Sequence, residues 1–136
     1  MKSLFPEEMM NSSPSEMTVE RIASKLTYFT VQLHLLHWQT TSIAEHGALG
    51  SLYDYVHDFT DGAVEKIMGY MGGRRIGVFK LEPLTIIPAT SVVDDLISFA
   101  SNLKAYGETN NYHDICNLAD SLSGEAVKTK YLLTMS

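Results

Sequence analysis

Apolar residues fall three and four positions apart in four separate stretches of the chain, the spacing of helices that share a core. In the first stretch Val19, Ile22, Leu26, Phe29, Leu33 and Leu36 repeat at 3-4-3-4-3. This predicts a helix from about Thr18 to Thr40, with Thr18 as N-cap and Glu20 in the first turn. A second apolar line, Tyr28, Val31, Leu35 and Trp38, lies beside the first. A helix apolar on more than one side needs two partners, so this line implies an interface beyond the bundle itself.

The second stripe is Leu49, Leu52, Val56, Phe59, Ala63, Ile67 and Tyr70. It predicts a helix from Ile43 to about Met71, opened by the capping box Ser42-Ile43-Ala44-Glu45 and stopped by Gly72-Gly73. Gly47, Gly50 and Gly62 weaken it locally. Val92, Leu96, Phe99 (or Ala100) and Leu103 predict a short third helix, Ser91 to about Tyr106. Ser91-Val92-Val93-Asp94 would open it and Gly107 would end it. The fourth begins after Asn110-Asn111, with Ile115, Leu118, Ala119, Leu122, Ala126 and the tail Tyr131-Leu132-Leu133.

Between the second and third helices, residues 74–90 carry Pro83 and Pro88. Seventeen residues is long for a connection inside one domain. Extended, it reaches roughly 55 Å, against about 45 Å for a 30-residue helix. It can therefore carry the chain from one end of a bundle to the other. A tight pair, a long crossover and a second tight pair make an all-α fold, a ferritin-like four-helix bundle. Residues 1–17, with Pro6 and Pro14 among serines, read as a polar N-terminal arm, and residues 18–136 as one domain.

Composition narrows the function. Net charge is −6 and no basic run exceeds Arg74-Arg75, which excludes the phosphate-binding patch of a nucleic-acid protein. There is neither an apolar run of membrane length nor a signal-peptide core. The single cysteine, Cys116, allows no intrachain disulfide and is expected to be a small buried residue. These features fit a cytoplasmic protein.

Candidate chemistry gathers between His34 and Gly73, which holds four of the five histidines and the only tryptophan. His37 lies one turn before the first helix ends and His46 one turn into the second, so a short turn brings them near each other. Asp61 and Glu65, one turn apart, project from one patch. Placed at 100° per residue, Asp61 and Glu65 lie nearly opposite the apolar stripe, with His46, Asp54 and His57 on the same far side. The alternatives are a solvated polar face and a metal site shared between subunits. Imidazole and carboxylate suit iron or manganese, and two of each hold one cation well or two weakly.

His37-Trp38, then His46, then Asp61-x-x-x-Glu65, followed by Gly72-Gly73, resembles Dps, the mini-ferritins that oxidise and store iron and protect DNA in stressed bacteria. In that family a His-Trp pair ends the first helix and a second histidine opens the next. An Asp follows fifteen residues later and a Glu four after that, the spacings of His46, Asp61 and Glu65. The likeness is close over 33–73 and loose over 18–135. It implies a ferroxidase in which His37 and His46 of one subunit and Asp61 and Glu65 of its two-fold mate hold Fe(II) for O2 or peroxide. Asp54 would be a weaker ligand, and Trp38 and Asp58 would stand beside the ligands. It also implies self-association, as two-fold dimers or a dodecameric shell. Gly50 stands where the family has a carboxylate one turn after the second histidine. No Lys-rich tail supports DNA binding. Two other readings remain: a helical homo-oligomer that keeps the scaffold without the chemistry, and a mononuclear metal-binding protein. The metal is accordingly iron, another divalent cation, or none.

Overall fold

The computed structural model describes residues 17–136. Almost all of the expected polar arm therefore lies outside the described residues.

Helix α1 (Val19–Gln39) starts where Thr18, in extended backbone, turns its hydroxyl back to accept the Arg21 N–H at 3.2 Å. Every member of its main apolar stripe is buried. Three residues later Ser42 repeats the device for α2 (Ile43–Tyr70), accepting the Glu45 N–H at 3.2 Å. The expected capping box is only half formed, because the Ser42 N–H donates to Thr40 Oγ1. At the far end Gly72 and Gly73 take φ of +72° and +84°, and their N–H groups donate to the Gly69 and Met68 carbonyls. This is a Schellman stop, a conformation that a side chain resists.

The connection that follows runs beside α1 in the same direction. Glu20 accepts from the Gly77 N–H at 3.0 Å and from Arg74 at 3.2 Å. The Gly77 N–H foremost, then the Arg74 charge, hold its pKa below the usual value against the opposing effect of burial. Ser24 donates to the Lys80 carbonyl at 2.6 Å, Lys25 pairs with Glu82 at 3.5 Å, and Gln32 is bonded to Thr85. Partners thus advance together along both segments, and the chain crosses the length of the bundle.

Helix α3 (Ala89–Asn110) is longer than the sequence suggests. It starts two residues before Ser91, after Pro88, with no side-chain cap, so Ser91 is not the N-cap. It also runs through Gly107 and ends at Asn111, which has a φ of +59°. Gly107 serves close packing instead: a Cβ there would lie 2.9 Å from Cys116 Sγ and 3.1 Å from the Cys116 nitrogen. Cys116 is half-buried rather than enclosed, with its thiol toward the Lys104 carbonyl.

Helix α4 (His113–Leu133) runs antiparallel to both α2 and α3. Its start meets the end of α2, where Tyr70 Oη accepts the Asp114 N–H at 3.3 Å, and its end meets the start of α3 through Lys130–Asp94 at 2.8 Å. The described residues form an all-helical four-helix bundle. Its core takes Phe29 of α1, Leu52 of α2, Leu96 of α3 and Leu122 of α4. Of the second apolar line on α1, Tyr28 is buried, while Val31 and Trp38 stand in the open. No described helix is long and apolar enough to cross a membrane.

Candidate functional site

The turn between α1 and α2 closes on a histidine pair. His37 Nδ1 donates to the His46 carbonyl at 2.7 Å, and His46 Nδ1 donates to the His37 carbonyl at 2.9 Å. A carbonyl oxygen can only accept, so each Nδ1 carries hydrogen. Each neutral ring then keeps its lone pair on Nε2, a tautomer in which a histidine can bind metal through that atom. The two rings stack with centroids 3.7 Å apart and planes 20° from parallel.

Gly50 makes this arrangement possible. A Cβ on it would lie 2.9 Å from His37 Cε1 and 3.1 Å from His37 Nδ1. The position where the Dps resemblance places a carboxylate is thus filled by the His37 ring.

An aromatic row continues over the same surface. His34 lies 3.8 Å from Trp38 and 3.9 Å from Tyr53, and Tyr53 lies 5.9 Å from His57. Trp38 therefore packs on His34, and it remains 67% exposed.

The carboxylates stand apart from the imidazoles. Asp54, Asp58, Asp61 and Glu65 are all exposed on α2, opposite its core stripe. Asp58 faces His57 at 3.5 Å, with both side chains in solvent. Fifteen residues of helix separate His46 from Asp61, about 22 Å along the axis. The structure brings His37 and His46 together and leaves Asp54, Asp61 and Glu65 away from them. Among the described residues no three His, Cys, Asp or Glu side chains lie close enough to hold a metal ion.

The donor types suit iron, but the stacking limits how they act. Two nearly parallel rings 3.7 Å apart have lone pairs in two separate planes. An ion at about 2.1 Å from both Nε2 atoms would lie far out of at least one plane. As arranged, each cation can take one imidazole.

One polar seam was not anticipated from sequence. Gln32 is fully buried, donating to the Thr85 carbonyl at 2.6 Å and accepting the Thr85 N–H at 3.1 Å. The Glu82 side chain is 2% exposed beside Lys25. Burial, more than any charge, raises the Glu82 pKa, with Lys25 opposing. Burial likewise pushes the Tyr28 hydroxyl up to about 12, aided by Glu82 and Asp95. A glutamine inside the stripe Phe29, Leu33, Leu36 was the available signal.

Fold and surface together define a four-helix protein with a backbone-locked histidine pair, His37 half-buried and His46 exposed, at one interhelical corner. Residues 37–133 match a family of unknown function, DUF5856, and the chain belongs to that family. The match begins at His37 and takes in all of α2, α3 and α4. No curated protein and no solved structure matches the chain.

Proposed function

We propose that this chain is a ferritin-like, Dps-like protein that pairs with its own copy across the α1–α2 face and binds iron there. One imidazole of the His37–His46 pair would meet Asp61 and Glu65 of the second copy. The observation that carries this reading is the pair of exchanged Nδ1–carbonyl bonds, which leave the lone pair of each neutral ring on Nε2. The apolar residues at this turn support the pairing: Trp38 is 67% exposed and Ile43 90%, area that a second copy would cover. The course of the crossover along α1 is the connection a ferritin-like bundle needs.

A second reading has its own observation. The stacked rings and Gly50 leave no bridging oxygen and no chelating imidazoles. On this reading the scaffold assembles without redox chemistry and serves a structural or interaction role.

Anaerobic Fe(II) titration with light scattering tests the first. A multimer that binds Fe(II), with binding lost in His37→Ala/His46→Ala and in Asp61→Ala, is expected. A monomer at micromolar concentration, or binding unchanged in the variants, defeats it. Admission of O2 then separates storage from scaffold: ferric absorbance should rise faster than in a protein-free blank.

A further inference from the structure

The corner poses a question that its donors alone do not answer: why a helix interior carries glycine at position 50, where glycine weakens it. Gly62, on the same helix, has nothing within 4 Å of the place where a Cβ would sit. Gly50 differs, because that place is bounded by three atoms of the His37 ring, the nearest at 2.9 Å. That distance is under any ordinary carbon contact, so an added methyl must displace the imidazole or be displaced. The ring cannot shift freely, since its Nδ1 is held by the His46 carbonyl and its face lies on the His46 ring. Displacing it breaks the exchanged bonds, and with them the tautomer that keeps each lone pair on Nε2.

We propose that Gly50 is the positioning residue of this corner: it makes room for the interlocked His37–His46 pair, and the pair, by keeping a bridging carboxylate off position 50 and denying one ion both imidazoles, in turn limits each corner to one cation. The second clause rests on the iron reading above; the first does not. A side chain at 50 would supply an oxygen ligand only by dismantling the pair, so pair and bridging carboxylate exclude one another.

The test uses the full chain. In metal-free protein, nitrogen-15 NMR of the imidazoles should show His37 and His46 protonated on Nδ1 and bare on Nε2. Gly50→Ala should abolish that signature, and Gly62→Ala should preserve it. Retention of both signatures in Gly50→Ala overturns the proposal. Thermal melting guards against a variant that merely folds poorly. Gly50→Ala should lower the melting temperature in the natural background and raise it in His37→Ala, where the obstructing ring is gone and only helix propensity remains. The same sign in both backgrounds overturns the steric argument. Anaerobic Fe(II) titration of the natural chain should saturate at one ion per protomer. Two ions overturn the second clause. No binding, with the NMR signature intact, removes the iron reading and the second clause with it, and leaves the positioning role standing.

Discussion

Helix α1 has two polar seams, and they are built in opposite ways. Along the crossover, Ser24, Gln32 and Glu82 are buried, and the first two are bonded to backbone groups more than fifty residues away. At the corner with α2, His37 is half-buried and His46 exposed, each tied by one ring nitrogen with the other left over. The first seam spends its polar capacity on architecture. The second keeps some in reserve. A spare lone pair held in place by the backbone is the mark of a group that can meet a ligand, whereas a buried amide with both ends bonded has no such freedom.

The largest effect expected is at Gln32. Gln32→Ala deletes both bonds to Thr85 and leaves a cavity and two stranded backbone groups. The loss should be on the order of 3 kcal/mol in urea unfolding, since unsatisfied polar groups and cavities both cost. His46→Ala, at the open corner, should cost about 1 kcal/mol or less, because water replaces its bonds. Equal losses would erase the distinction between the seams.

Glu82 sharpens the same contrast through pH. Its pKa is raised in the folded chain, mainly by burial. The folded state therefore holds that proton more tightly than the unfolded state. Stability from this group is fully present below the ordinary glutamate value and is lost as pH rises through the folded pKa. One proton can give a slope of at most about 1.4 kcal/mol per pH unit in that window. Glu82→Gln should flatten the slope, with Asp95, raised by burial as well, supplying what remains. An unchanged pH profile in that variant would mean that the carboxylate is not desolvated as the fold places it.

What the sequence made legible follows from how far each determinant reaches. The starts of α1 and α2 were readable because Thr18 and Ser42 act within three residues of themselves. The start of α3 was not, because Pro88 opens it by its own fixed φ and no side chain caps it, so Ser91 looked like the signal. Gly107 resembles a stop, since a glycine that ends a helix and one that admits a neighbouring helix look alike in a string. Gln32 and Glu82 depend on a crossover whose course no local pattern encodes. At the corner, the meeting of His37 with His46 could be read from a short turn between antiparallel helices. Their exchanged bonds, their stacking and the dependence on Gly50 could not, because these rest on side-chain geometry at ångström scale.

Asp61 gives the smallest effect on stability and the sharpest cut between the readings. It is exposed, outside the core stripe of α2, and among the described residues its carboxylate has no hydrogen bond or ion pair. Asp61→Asn keeps the shape and removes the charge, so unfolding in metal-free protein should change by less than about 0.5 kcal/mol. A ligand carboxylate and a solvating one are indistinguishable by that measurement. They part when Fe(II) is added: on the iron reading a bound cation stabilises the folded chain by mass action, and loss of its carboxylate ligand removes that gain. The natural chain should therefore melt higher with Fe(II) than without, and Asp61→Asn should melt alike in both. If the iron-dependent rise persists in Asp61→Asn, that residue belongs with the solvated surface, and the histidine corner has to find its oxygen ligands elsewhere.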